Sequence, residues 1–203
     1  MMKNTRNSIQ WGSMNNQTNE SLPAANNDVN VAENVIHFCS AVTDESVAKF
    51  NAELRKLDLK LQQQTIAYGC SPIVIKLYIS SHGGDVMAGF SAMDTILNCK
   101  SPVETYVDGY VGSAGTFMSI VGTTRYMYKH SHMLIHQLAS EFWGKMDEFE
   151  DNKENMDRIH NMIKNFYLEY AKLPPELLDE ILKHDLWWDA ETCLSFGLID
   201  YIV

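Results

Sequence analysis

Apolar residues recur at two different spacings along the chain, and the spacing predicts where strands and helices lie. The segment VIHF at 35–38 is typical of a short strand. In the segment that follows, apolar residues recur every three or four positions, which indicates a helix capped by Thr43 or Asp44. The run IVIKLYIS at 73–80 is almost continuously aliphatic or aromatic, which predicts a strand buried on both faces of a parallel sheet.

Strand, glycine turn and helix then follow one another twice. The segment 86–99 is predicted to be a helix, 103–111 a strand and 116–122 an apolar helix. Two more strands, TRYMYKH and HMLIHQL, precede a long amphipathic helix from about Lys145 to Ala171, whose apolar stripe comprises Met156, Ile159, Ile163, Phe166 and Tyr170. Two short helices and the strand LIDYIV complete the chain. This alternation predicts an α/β fold with a mainly parallel sheet and with sites at the carboxyl ends of its strands.

The first 34 residues differ from the rest because they are rich in Asn, Gln, Ser and Thr and poor in apolar side chains. Such a segment cannot bury enough surface to offset the entropy of ordering. We therefore expect a flexible polar tail at 1–34 and a single domain at 35–203, which together account for the 203 residues of the chain.

Composition narrows the class of function. The chain is 45% hydrophobic and 21% charged, as in ordinary globular proteins, and its net charge of -10 argues against binding to a phosphate backbone. Neither a signal peptide nor a run of ~20 apolar residues is evident, so we expect a cytoplasmic protein that does not cross a membrane. Four dispersed cysteines without a CxxC pair suggest neither a zinc site nor a disulfide framework.

Two glycine turns carry the candidate chemistry. In the first, Gly83-Gly84-Asp85, the backbone can approach a ligand closely and present amides to a developing oxyanion, although paired glycines also serve simply as loop corners. In the second turn Ser113 lies between Gly112 and Ala114 at the start of a helix. Ser113 could be a nucleophile there, and the commoner alternative is a helix cap.

A serine nucleophile needs a base and a group that orients the base. Among the seven histidines, His136 is placed at the polar end of a rigid strand, while His132, His82 and His184 remain competitors. For the orienting acid we select Asp185, next to Trp187-Trp188, which could exclude water from the pair. Asp189 is better explained as a helix cap, and Asp200 is a second-rank rival.

Four ordered segments resemble the proteolytic subunit of the Clp protease, ClpP. They are LYISSHGGDVMAGFSAMDTI, VDGYVGSAGTFMSIVG, HMLIHQ and HDLWWDAETCLSFGLIDYI, and the likeness runs from about Val35 to Val203. The resemblance implies a ClpP/crotonase-like fold of repeated β-β-α units with a long handle helix. It also implies that Ser113 is the nucleophile, His136 the base and Asp185 the acid, with backbone amides at Gly84 and Ala114 forming the oxyanion hole.

The resemblance further implies an assembly. Relatives of this family stack two heptameric rings into a barrel that cleaves unfolded polypeptides inside, fed by a hexameric AAA+ unfoldase. ATP would be used by that partner, and no P-loop and hence no cofactor site is expected in this chain. The segment after His136 and the long helix correspond to the element that joins the rings.

The sequence departs from the family pattern at identifiable positions. His82 and Leu138 stand where many relatives carry proline, and ASEFWGKMDEFED replaces a glycine-rich strand. Two other functions therefore stay open: a catalytically silent ClpP-like assembly subunit, and an acyl-CoA enzyme of the crotonase type. A relative of signal-peptide peptidases, which pair serine with lysine, fits less well because no membrane anchor is evident.

Overall fold

A computed structural model describes residues 29–139, 141 and 143–203. Within these residues the chain forms one sheet of eight strands together with six helices. The strands are β1 (Val29–Ala32), β2 (Val35–Phe38), β3 (Ile75–Ser81), β4 (Val103–Gly112), β5 (Thr124–Met127), β6 (His132–Leu134), β7 (Trp187–Trp188) and β8 (Tyr201–Ile202). The helices are α1 (Asp44–Tyr68), α2 (Val86–Leu97), α3 (Gly115–Ile120), α4 (Met146–Tyr170), α5 (Pro175–Ile181) and α6 (Ala190–Ser195).

The sheet is mainly parallel, as the alternation of elements predicted. Its strand order is β1-β2-β3-β4-β5-β8, and only β1 with β2 and β6 with β7 pair antiparallel. Strand β4 is long enough to pair with β5 through residues 104–107 and then with β6 through residues 110–112. The carboxyl ends of β3, β4 and β6 therefore meet at one edge of the sheet, which is where the two glycine turns lie.

Repeated β-β-α units are only partly visible in the element order. The sequences β1-β2-α1 and β5-β6-α4 have that order, while the two units between them contain a single strand each, β3 before α2 and β4 before α3. The pairing between β3 and β4 is irregular, since its register shifts between Ile79 and Ser81. Strand β4, with its two successive partners, occupies the place of two shorter strands.

The boundary expected for the polar tail is wrong. Residues Val29–Ala32 form β1, which pairs with β2 in a register that places Val29 opposite Phe38. Valine alternates with polar or small residues in this stretch, so one face can be buried while the other faces solvent. The ordered chain thus begins before Val35, and residues 1–28, the rest of the expected tail, lie outside the described residues.

Several helix ends match their predictions. Thr43 caps α1 by accepting a hydrogen bond from the Ser46 amide at 3.1 Å, and the Thr43 amide donates back to the Ser46 hydroxyl at 3.0 Å. Asp189 caps α6 by accepting from the Thr192 amide at 2.9 Å. Both predicted caps are confirmed.

Strand β3 is buried on one face only, so the prediction of burial on both faces is wrong for this chain. Ile75, Leu77 and Ile79 are inaccessible, whereas the opposite face carries an aromatic row that remains partly exposed. Successive rings of this row stack at centroid distances of 5.0, 4.6, 4.6 and 5.5 Å across His37, Tyr78, Tyr106, Tyr126 and Tyr201. The spacing follows that of neighbouring strands, because residues in register lie side by side.

The predicted long helix is present as α4, but its apolar stripe is buried only toward the carboxyl end. Ile163, Phe166 and Tyr167 enter the core, while the first half of the helix, with Met156, is not buried. Glu148 accepts a hydrogen bond from the Lys145 amide at 2.8 Å and so closes the helix start. In the part of the chain that the structure describes, no helix has both the length and the apolar character to cross a bilayer.

Candidate active site

Ser113 follows β4 directly and has a left-handed backbone. Its φ is 53°, which for a residue with a side chain costs about 1–3 kcal/mol and persists only where neighbours enforce it. One enforcing contact is the hydrogen bond from the Ser113 amide to the Leu134 carbonyl of β6, at 2.8 Å. The cap of α3 is Ala114 and involves no side-chain bond, so the interpretation of Ser113 as a helix cap is wrong.

The Gly83-Gly84 pair packs against the Ser113 turn, which makes the pair more than a loop corner. A Cβ atom at Gly83 would lie 2.5 Å from the Gly112 carbonyl oxygen and 2.7 Å from the Ser113 Cβ, and the φ of Gly83 is +90°. A Cβ atom at Gly84 would lie 2.2 Å from the Val42 carbonyl oxygen. Only glycine allows the three backbone segments to approach this closely.

The backbone amides of Gly84 and Ala114 are among those beside the turn that make no hydrogen bond within the described residues. Val42 pairs with this segment through the Gly83 carbonyl at 2.9 Å and the Asp85 amide at 2.8 Å. Gly84 lies between those two bonds, so its own N–H points away from Val42. Unpaired amides on adjacent turns are the donors that an oxyanion hole requires.

His136 and Asp185 form the polar pair of the site. The Nδ1 atom of His136 lies 3.2 Å from Oδ1 of Asp185, and the His136 side chain is 24% exposed. His136 lies two residues beyond the end of β6 rather than within the strand, and the next residue, Gln137, donates its amide to the Leu182 carbonyl at 2.7 Å. That bond holds the His136 loop against the segment that leads to Asp185.

The expected shielding of Asp185 by the two tryptophans is wrong. The Asp185 side chain is 78% exposed. Trp187 instead turns toward the nucleophile side, where its ring lies edge-on to His82 and Tyr110 and would meet a Cβ on Gly112 at 3.2 Å. Since the Asp185 carboxylate is hydrated, its interaction with His136 serves orientation more than stability.

Ser113 and His136 line the same cavity, which has a volume of about 280 Å³. Its lining also includes His82, Gly84 and a largely apolar set: Val86, Phe117, Leu138, Ile163 and Tyr167. No hydrogen bond joins the Ser113 hydroxyl to His136 within the part of the chain described. Such bonds are often long in a free enzyme and tighten when substrate binds.

The competing candidates have other partners. Asp200 accepts three hydrogen bonds from Arg125, at 2.6 to 3.0 Å, which lower the pKa of its carboxyl. His184 pairs with Glu180 at 3.4 Å and does not line the cavity. His82, which does line it, stacks on Tyr110 at 4.0 Å. The structure brings all three members of the predicted triad, Ser113, His136 and Asp185, to one edge of the sheet.

Sequence reasoning missed two polar residues that adjoin the site, Thr116 and Tyr167. Both are buried, and their hydroxyls lie 2.7 Å apart behind the Ser113 turn. Tyr167 is next to Phe166 on the predicted stripe of α4, and nothing in its spacing distinguishes it from a core aromatic. Within residues 29–139, 141 and 143–203, no cluster of three or more His, Cys, Asp or Glu is arranged to hold a metal ion.

Comparison with known proteins identifies the family to which the chain belongs. The family model described as "Clp protease" matches residues 25–203. The ATP-dependent Clp protease proteolytic subunit 1 of Chlamydia caviae is 30% identical over 172 residues, which are 83% of this chain and 85% of that protein, and subunit 1 of Chlamydia abortus is 29% identical over the same length. Subunit 3 of Streptomyces coelicolor is 30% identical over 131 residues, 64% of this chain and 60% of that protein. The chain therefore belongs to the Clp protease family.

Proposed function

We propose that the chain is a serine endopeptidase subunit with Ser113 as nucleophile, His136 as general base and Asp185 as the group that orients the base. The observation that carries the proposal is the His136–Asp185 pair, at 3.2 Å, whose imidazole lines the same cavity as the left-handed Ser113. The unpaired amides of Gly84 and Ala114 beside that serine support the same conclusion. Asp185 accepts from Nδ1–H, which leaves Nε2 as the basic nitrogen.

In the proposed reaction, Oγ of Ser113 attacks the peptide carbonyl while Nε2 of His136 takes its proton. The amides of Gly84 and Ala114 donate to the carbonyl oxygen as it becomes an oxyanion. The C–N bond then breaks, His136 returns the proton to the leaving amine, and an ester joins the acyl group to Ser113. Water, deprotonated by His136, attacks the ester and releases the acid and the free serine.

The cavity supports a polypeptide substrate with an apolar side chain beside the cleaved bond. Its volume of about 280 Å³ is at the lower limit of ligand pockets, enough for one side chain rather than for a whole cofactor. The apolar part of its lining includes Val86, Phe117 and Ile163. The remainder of the substrate would lie across the open mouth, where Gly84 and His136 are accessible.

We further propose that the subunit acts inside a self-assembled barrel of stacked seven-membered rings. The exposed first half of α4 and the half-exposed aromatic face of the sheet support self-association, because both are surfaces that a neighbouring chain could cover. In this scheme ATP is consumed by a partner unfoldase and the chain itself needs no cofactor.

A catalytically silent assembly subunit is the second candidate, and two observations favour it. The Ser113 hydroxyl and the His136 imidazole are not hydrogen-bonded, and Asp185 is largely hydrated. A crotonase-type acyl-CoA enzyme is less well supported, since the described residues that line the cavity include no carboxylate for the reacting carbon.

Labelling with a fluorophosphonate separates the first two candidates. The assembled wild-type protein should be labelled on Ser113 and should hydrolyse a fluorogenic peptide, and Ser113→Ala should abolish both. Ser119→Ala is a matched control, because Ser119 lies in α3, the helix that follows Ser113, and is buried without lining the cavity. An assembled wild type without labelling would establish the silent subunit instead.

A further inference from the structure

A line of buried hydroxyl groups joins α4 to the turn that carries Ser113. The Tyr167 hydroxyl lies 2.7 Å from Oγ1 of Thr116, and that Oγ1 lies 2.6 Å from the carbonyl oxygen of Ser113. Tyr167 is 1% exposed and Thr116 is 0% exposed, so both hydroxyl groups are shielded from water. Burial raises the pKa of the Tyr167 hydroxyl, which therefore stays protonated and remains a donor.

The single proton of the Thr116 hydroxyl determines the direction of both bonds. A carbonyl oxygen can only accept, so Thr116 donates its proton to Ser113. With that proton engaged, the Thr116 oxygen accepts the proton of Tyr167. Both donors thus point toward the serine turn, and each bond polarises the next one.

The carbonyl of Ser113 and the amide of Ala114 belong to one peptide unit. That unit is planar and trans, so its C=O and N–H point in opposite directions and rotate together. The Ser113 carbonyl also accepts from the Thr116 amide at 2.9 Å, and the Ser113 amide is held by Leu134 at 2.8 Å. A donor that fixes the carbonyl therefore fixes the direction of the Ala114 N–H.

We infer that Tyr167 and Thr116 are positioning residues that aim the Ala114 amide at the oxyanion. They hold the Ser113–Ala114 peptide plane against rotation and, by polarising it, strengthen Ala114 as a donor. Neither hydroxyl touches the reacting atoms. The inference rests on the proposed peptidase function, since it concerns one of the two amides assigned to the oxyanion.

A purely structural role for the two hydroxyls predicts a different result. In that role they only satisfy each other in the core, and removing both together costs little. Thr116→Val alone leaves the Tyr167 hydroxyl buried without a partner and destabilises the fold. The double variant Thr116→Val/Tyr167→Phe has no unpaired hydroxyl, yet it still lacks the donor to the Ser113 carbonyl, so it separates folding from positioning.

The experiment compares Thr116→Val, Tyr167→Phe and the double variant in the assembled full chain. Thr105→Val is the matched control, because Oγ1 of Thr105 also donates to a carbonyl of α3 at 2.6 Å, but to Ser119 at the far end. Tyr170→Phe is a second control, because it removes a hydroxyl three residues beyond Tyr167 on the same helix. Melting temperature, kcat and KM are measured for each, with the affinity for a peptide boronate and for the product peptide.

For the double variant we expect a melting temperature close to that of the wild type, an unchanged KM and a kcat lowered about tenfold. That loss is a fraction of the 10²–10³-fold effect of removing an oxyanion donor altogether. Affinity for the boronate, whose adduct carries an oxygen at the oxyanion position, should fall by a similar factor, while product binding is unchanged. The two controls should retain wild-type kcat. A double variant with wild-type kcat and boronate affinity would overturn the inference.

A crystal structure of the double variant tests the orientation of the Ser113–Ala114 peptide directly, without an activity measurement. Rotation of the Ser113–Ala114 peptide plane, with the φ of Ala114 moving away from -57°, supports the role of the two hydroxyls. An unmoved plane refutes it, whatever the activity. If the wild type proves inert toward fluorophosphonate while the plane rotates in the variant, the peptidase proposal fails and the structural link between α4 and the turn stands.

Discussion

Gly83 offers a direct test of whether the two glycine turns must fit together. In Gly83→Ala the new Cβ would lie 2.5 Å from the Gly112 carbonyl oxygen, and side-chain carbons rarely approach any heavy atom closer than 3.0 Å. The Gly112-Ser113 turn must therefore shift by at least about 0.5 Å, which is 3.0 minus 2.5, and that equals the roughly 0.5 Å tolerance of a catalytic constellation. The φ of +90° adds a conformational cost.

Gly69→Ala is the matched control for that substitution. Gly69 ends α1 at a φ of +60°, and a Cβ there would meet nothing within 4 Å. It thus measures the cost of a left-handed alanine alone, about 1–2 kcal/mol. For Gly83→Ala we expect that cost plus about 1–3 kcal/mol of overpacking.

Urea unfolding and the rate of fluorophosphonate labelling measure the two consequences. Labelling of Gly83→Ala should slow by about tenfold or more, since a 1 Å misplacement can cost about 10²-fold. Gly69→Ala should label at the wild-type rate. Equal unfolding free energies for the two variants, together with equal labelling rates, would refute the claim that contact between the turns positions Ser113.

Three further substitutions test other parts of the structure. Asp185→Asn should lower kcat by about 10²–10⁴-fold with little loss of stability, because the carboxylate orients His136 from a hydrated position; unchanged peptide hydrolysis would contradict this. Asp200→Asn should lower the free energy of unfolding by about 2 kcal/mol at neutral pH, as Arg125 loses charged hydrogen bonds. Arg125 lowers the folded-state pKa of Asp200, so this stabilisation is present above the unfolded pKa of about 3.9 and fades as the pH falls through the folded value. The urea midpoints of the wild type and Asp200→Asn should therefore converge in acid. A gap that stays constant with pH would contradict the assignment. Asp58→Ala should cost about 1–3 kcal/mol, since the Asp58 carboxylate accepts the amides of residues 100 and 101 at 3.1 and 2.8 Å, and a urea midpoint equal to that of the wild type would contradict it.

The local part of the fold followed from sequence because its causes are local. Caps at Thr43 and Asp189, the long helix α4 and the order of strands and helices each depend on residues within a few positions of one another. The placement of Ser113 and His136 at the carboxyl ends of strands also followed, since parallel pairing sends those ends to one edge.

Features that depend on distant partners did not follow. The segment Val29–Ala32 has only four residues, and it becomes a strand because it pairs with the edge that β2 offers. The Trp187 side chain was expected over Asp185 and instead lies against Gly112, because the antiparallel pairing of β7 with β6 decides which way it faces. Burial on both faces of β3 was expected from its apolar run, but the aromatic row on one face keeps contact with solvent in a single chain.

By itself, then, the sequence determined which residues carry reactive groups and which elements hold them. The first follows from side-chain type, and the second from the spacing of apolar residues along the chain. Only the tertiary structure decided that the Asp185 carboxylate reaches Nδ1 of His136. It also decided that the Tyr167 hydroxyl is linked to the Ser113 carbonyl through the Thr116 hydroxyl. These contacts join residues that are far apart along the chain. Their distances are fixed to within a few tenths of an ångström by the packing of each element against its neighbours. No spacing rule encodes such distances, because they arise from how whole elements fit together.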